Sequence, residues 1–128
     1  MRQQPDMKPV VWVGSSRKDI REFPEAVQKG VGRALQQAQQ GAKPASAKPV
    51  MGFGGASVLE IRDNYDSDTF RAVYAVRFAE RLYVLHVFQK KSRQGIQTAK
   101  HDLEVIHERL RAAEALHEEW LAEQRKEH

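Results

Sequence analysis

Cysteine is absent from all 128 residues, which excludes a disulfide framework, a thiolate zinc site and a cysteine nucleophile. A reducing setting suits such a chain, and a cytoplasmic location is the expectation. Long apolar runs are missing too: nothing approaches the ~18 residues of a membrane span. The opening stretch Met1 to Pro9 is polar, unlike the apolar core of a signal peptide, so neither a membrane nor export is expected. Five histidines are present, but His101 and His107 are six apart and fall on different sides of a helix, so neither a metal nor any other cofactor is expected. There is no paired-carboxylate pocket for glycoside chemistry, no Ser-His-Asp order, and no Lys-Ser/Thr after the "GFGG" at 52–55, which reads as turn chemistry rather than a phosphate loop. The most telling gap is in acids. From Leu82 to His101 there is not one, yet that stretch contains Lys90, Lys91 and Arg93.

Other parts of the chain are well supplied. Hydrophobic residues make up 41%, enough for the one modest core of a single domain. The net charge of +4 conceals an asymmetry, because residues 102–128 hold eight acids against four bases and the remainder is therefore +8. A body that basic attracts polyanions by releasing their condensed counterions. The tail reads as a solvated acidic helix.

"PVVWV" at 9–13 has the β-branched and aromatic character of a buried strand closed by Gly14. Ser16 is a candidate N-cap for a brief helix, with Asp19 reaching back to it. A second helix follows from Pro24 and Glu25, with Phe23, Val27, Val31, Leu35 and Ala38 at near-helical spacing until Gly41. Residues 41–57 are rich in Gly, Pro, Ala and Ser and predict a long loop. Three strands at 58–64, 69–78 and 82–88, with short polar connections, predict an antiparallel meander. After Gly95, Leu103, Ile106, Leu110, Ala113, Leu116 and Trp120 recur every three or four residues and predict a long amphipathic helix.

Alternation along the strands sorts the side chains. Phe70, Ala72, Tyr74, Val76 and Phe78 share the face expected to meet the helices, while Arg71, Val73, Ala75 and Arg77 share the other with Glu60 and Arg62. Antiparallel pairing brings Lys90 and Lys91, at the end of the last strand, beside the start of the previous one. One edge of an exposed sheet face is thus expected to gather Arg62, Arg71, Lys90, Lys91 and Arg93. Such a cluster suits an RNA phosphate: it neutralises charge as a 2′-hydroxyl attacks, and a lysine crowded by cations has a lowered pKa and can exchange a proton. His86 is a further acid or base candidate, or a satisfied core residue. Phe88 is either a stacking platform for a base or a packing residue.

The run "VLEIRDN...DTFRAVYAVRFAERLYVLHVFQKKSRQGIQTAK", with "SSRKDIREFPEAV" upstream, resembles the phage-related HigB-like branch of the RelE/ParE toxin superfamily over roughly residues 10–112. The resemblance implies an α+β fold: two N-terminal helices packed on a small antiparallel sheet of about four strands, with a C-terminal helix. It implies a toxin domain at 1–112 and an acidic extension at 113–128. Carried onto this sequence, the family's basic cleavage positions fall on Arg62, Arg71, Lys90 and Lys91, the same residues that the charge argument gathers. His86 joins them as a catalytic candidate, and Arg93, Arg77, Phe88 and Lys48 are expected RNA contacts. Where relatives often open the last helix with Thr-Pro, Ala99 stands here. The implied partners are a cognate antitoxin, usually of helix-turn-helix fold, and mRNA on the ribosome. Two activities stay open: a metal-independent endoribonuclease, in which Arg71 and Lys91 are exposed and dispensable for folding, and a toxin that binds gyrase through its helices. A nontoxic remnant is a third.

Overall fold

The computed structural model describes residues 7–54, 57–90 and 99–127. The chain runs β1 (Val10–Trp12), α1 (Ser16–Ile20), α2 (Glu25–Gln39), β2 (Ala47–Pro49), β3 (Val58–Tyr65), β4 (Asp68–Ala75), β5 (Leu82–Lys90) and α3 (Lys100–Lys126). The five strands form one sheet in the order β1-β5-β4-β3-β2. The meander is antiparallel as expected, and β1 joins its far edge parallel to β5. Beyond the expected four strands, β2 lies inside the stretch read as a loop. Three residues are too few to show a period, and Ala47 is its single buried side chain.

Both sheet faces are covered, and this is the main departure from the sequence reading. On one face Val27, Val31, Ala34, Leu35 and Ala38 of α2 pack on Leu59, Ile61, Phe70, Ala72 and Tyr74. On the other, Ile106, Leu110 and Ala113 of α3 pack on Val58, Val73, Ala75, Tyr83 and Leu85. β4 is accordingly buried from Phe70 to Ala75 without alternation, the pattern of a strand sandwiched between helices. Arg71, expected to be exposed, lies within that run.

Two local details differ at α1. Ser16 is not the cap: it is the first helical residue, and its hydroxyl donates 3.2 Å to the Val84 carbonyl in the interior. Asp19 instead accepts from the Ser15 hydroxyl at 2.7 Å. Just before them Gly14 has φ +60°, a left-handed turn, and a side chain there would strike the Arg109 guanidinium. Arg109 uses that space to donate to the Leu85 carbonyl and the Ser15 hydroxyl at 3.0 Å each, tying α3 to the β1–α1 turn.

The connection from β4 to β5 covers residues 76–81, longer than the expected tight hairpin. Within β5 the register slips: Val73 pairs with His86 and Tyr74 with Val84, leaving Leu85 as an extra residue. This bulge reverses the alternation. Tyr83 and Leu85 face α3, and after the slip so do His86 and Phe88, while Val84 and Val87 face α2.

Candidate functional site

The bulge sets the site. With β5 shifted by one residue, three rows of side chains cross the α3 side of the sheet. Lys48, Glu60, Val73 and His86 form one row; Arg62, Arg71 and Phe88 form the next; Asn64, Thr69 and Lys90 form the outermost. α3 covers the Ala75 end of this face, and its first turn stops beside His86.

Glu60 is the centre. Its carboxylate accepts from Arg62 Nε at 2.9 Å through one oxygen and from Arg71 Nη1 at 3.2 Å through the other. Glu60 and Arg71 are buried, whereas the Arg62 side chain keeps 40% of its surface exposed. Cross-strand register sets Arg71 opposite Arg62 and next to Glu60, so its carboxylate partner is Glu60 rather than the Asp66 or Asp68 of the adjoining turn. Lys90 is buried at 7% exposure on the same face. Burial lowers its pKa, the positive charge of Arg71 lowers it further, and Glu60 opposes both. Arg62, Arg71 and Lys90 therefore do not stand apart from acids. Sequence reasoning missed Glu60 as a member of the site, since a glutamate two residues before an arginine reads as a local surface pair.

His86 is 8% exposed and faces the site side of the sheet. Its Nε2 lies 2.8 Å from Asp102 Oδ1 in the first turn of α3, and its ring stacks on Phe88 at 4.7 Å. Nδ1 is buried and has no hydrogen-bond partner among the described residues. Burial pushes the imidazole below its usual pKa, against the pull of Asp102. With one nitrogen held and the other enclosed, His86 is built to fix Phe88 and the start of α3. At that start the Ala99 carbonyl accepts the Leu103 N–H at 3.0 Å, the first bond of the helix.

The remaining candidates separate. Lys48 is exposed on β2 opposite Glu60, at the rim of the site. Phe88 is half-buried within it. Arg77 lies past the other end of β4 and holds Glu114 of α3 at 2.5 Å, so the structure does not bring it to the cluster. Lys91 and Arg93 lie outside the described residues. Asn64 and Thr69, which the sequence did not single out, complete the outer row, with the Thr69 hydroxyl donating to Asn64 Oδ1 at 2.9 Å. Among the described residues no group of three or more His, Asp or Glu could hold a metal ion, and no helix is long and apolar enough to cross a membrane.

Comparison with known proteins adds the family. A sequence model described as phage-derived, Gp49-like protein matches residues 18–111. The fold is similar to that of the E. coli toxin RelE, solved in the free state as a double arginine-to-alanine mutant: TM-score 0.56 at 14% identity, covering 83% of this chain and 97% of that one. A weaker likeness, TM-score 0.47 at 15% identity, covers 66% of this chain and 99% of a chain in the RelBE2 toxin–antitoxin complex of Mycobacterium tuberculosis. The search of the curated proteins found no match.

Proposed function

Because the chain belongs to the phage-derived Gp49-like family, in the RelE superfamily, we propose that it is the toxin of a toxin–antitoxin pair, of the HigB-like branch, and that it cleaves mRNA undergoing translation. The observation that carries this reading is the grouping of Arg62, Arg71 and Lys90 about one carboxylate, Glu60, on one sheet face. An RNA phosphate offers the arginines the same kind of anion that Glu60 does. Arg62, the exposed member, meets the phosphate first and exchanges one charge-assisted hydrogen bond for another. Arg71 then neutralises the charge that builds on phosphorus as the 2′-hydroxyl attacks. Glu60, released by the guanidiniums, accepts the hydroxyl proton, and Lys90, whose proton burial and Arg71 have loosened, delivers one to the leaving 5′-oxygen. The O2′–P bond forms as the P–O5′ bond breaks, leaving a 2′,3′-cyclic phosphate and a 5′-hydroxyl. Lys48, Lys91 and Arg93 supply further RNA contacts. The partner that restrains the protein is an antitoxin presenting acidic side chains to this face, of helix-turn-helix type, and the work is done in the cytoplasm.

The test is a reconstituted translation reaction on a defined mRNA with cut sites mapped by primer extension. Wild-type protein is expected to cut within codons only when ribosomes are present, and Arg62→Ala and Lys90→Met to reduce cutting at least a hundredfold while remaining folded. Folded wild-type protein that makes no cuts overturns the nuclease reading and turns attention to a gyrase-binding or partner-only role.

A further inference from the structure

The outermost row of the site has a use that phosphate chemistry does not give it. Asn64 and Thr69 face each other across the β3–β4 hairpin, on the same side of the sheet as Arg62 and Arg71 and one row farther out. Closing the hairpin does not require them. The turn is made by Asp66 and Ser67, both at positive φ (51° and 70°), between the paired Tyr65 and Asp68. Asn64 is exposed and Thr69 half-exposed, so the pair is wet, and its hydrogen bond adds little to stability.

What that bond does is orient. The Thr69 hydroxyl donates to Asn64 Oδ1 at 2.9 Å, which takes up one acceptor site on the amide and leaves its two Nδ2 protons outside that bond. An asparagine held this way offers mainly donors, two against one remaining acceptor site. Strand rise puts it about 7 Å from the Arg62 row, within reach of the base of a nucleotide whose phosphate is held there. Single-stranded RNA is read in this manner, through unstacked bases bonded at their edges and stacked on aromatic side chains. Phe88, directly across from Arg71 and braced from one side by His86, stands one residue pair away for the stacking.

We infer that Asn64, oriented by Thr69, selects the base next to the cleaved phosphate and favours one whose edge presents adjacent acceptors, guanine through O6 and N7 or cytosine through O2 and N3. Adenine and uracil interleave a donor with their acceptors and match it less well. Asn64 is a specificity residue, Thr69 a positioning residue behind it, and neither takes part in proton transfer. The inference rests on RNA occupying the site as proposed above.

Two measurements separate its failure from failure of the nuclease reading. The first is binding of labelled RNA hexamers that differ at one central position, followed by anisotropy. Wild type is expected to bind the G and C members about five- to tenfold more tightly than the A and U members. Asn64→Ala is expected to level the four, Asn64→Asp to penalise cytosine most, and Thr69→Val to weaken the preference while Thr69→Ser retains it. The second is the distribution of cuts over a pool of translated mRNAs, read as the share of cuts next to each base, with the same shifts expected. A preference that survives Asn64→Ala in either measurement overturns the inference while leaving the nuclease standing. Preference in binding without any cleavage keeps the base-reading role and removes the nuclease. Absence of both RNA binding and cutting by the wild type overturns both.

Discussion

Glu60 changes what a substitution at Arg71 tests. Both side chains are 4% exposed, and Arg71 is the buried arginine on a carboxylate whose other oxygen is held by the partly exposed Arg62. Breaking a buried ion pair costs about 3 to 5 kcal/mol when the remaining charge has no other partner, and Arg62 offsets part of that for Glu60. Arg71→Ala is therefore expected to lower the urea midpoint sharply, while Arg62→Ala, at an exposed position, costs about 0 to 1 kcal/mol. Loss of activity in Arg71→Ala then reports folding as much as chemistry, and Arg62→Ala is the informative variant. Equal midpoints for the two in equilibrium unfolding would contradict the buried pair. At this scale the sequence was legible in part. Strand alternation placed Arg62 and Arg71 on one face, and register confirms them as direct cross-strand neighbours. Their burial was not legible, because it depends on α3 folding back over that face from some thirty residues away.

Between elements, the bulge at Leu85 does what no residue type announces. Strict alternation from Leu82 would turn His86, Phe88 and Lys90 toward α2; one inserted residue turns them to the face of Arg71 and Glu60. A run such as "LHVF" reads as strand in either register, so the direction of His86 could not be taken from sequence. Once turned, His86 links β5 to α3 through Asp102, with Arg109 of α3 and Asp19 of α1 contributing charge around it. That junction has a pH signature. The imidazole's folded-state pKa is lowered below its ordinary 6.5, chiefly by burial. Between the lowered value and 6.5 the unfolded chain binds more protons than the folded one, so stability is complete above 6.5 and is lost as pH falls through that window. His86→Phe, which keeps the stack on Phe88 but cannot titrate, is expected to flatten the pH dependence of the unfolding free energy there. A wild-type profile that is flat from pH 7 to 5, or unchanged by His86→Phe, would place the histidine in solvent.

For the molecule as a whole, the question is where the folded unit ends. Charge suggests a boundary near residue 112, since the residues beyond it are predominantly acidic, and the family match stops at Arg111. The helix crosses that point without a break and keeps packing. Ala113 is fully buried against the sheet, and His117, 5% exposed, spans from the Tyr83 hydroxyl at 2.9 Å to Glu80 at 2.9 Å. Phe78 lies against the His117 ring, and Arg81 sits over Trp120 at 5.1 Å. Acidic composition dominated the reading because the contacting residues are spaced three or four apart among glutamates, and several of their partners, Phe78, Glu80 and Arg81, lie in the 76–81 connection, itself expected to be a tight turn. Ending the chain after Ala112 should therefore destabilise the body. The buried Tyr83 hydroxyl alone loses its partner, about 1 to 3 kcal/mol, before the packing of Ala113 is counted. His117→Phe, retaining ring contacts but not the hydrogen bonds, should recover part of that difference relative to the truncated chain. Urea unfolding of the full-length, truncated and His117→Phe proteins ranks the three, and a truncated protein as stable as the full chain would reduce residues 113–127 to a solvated appendage.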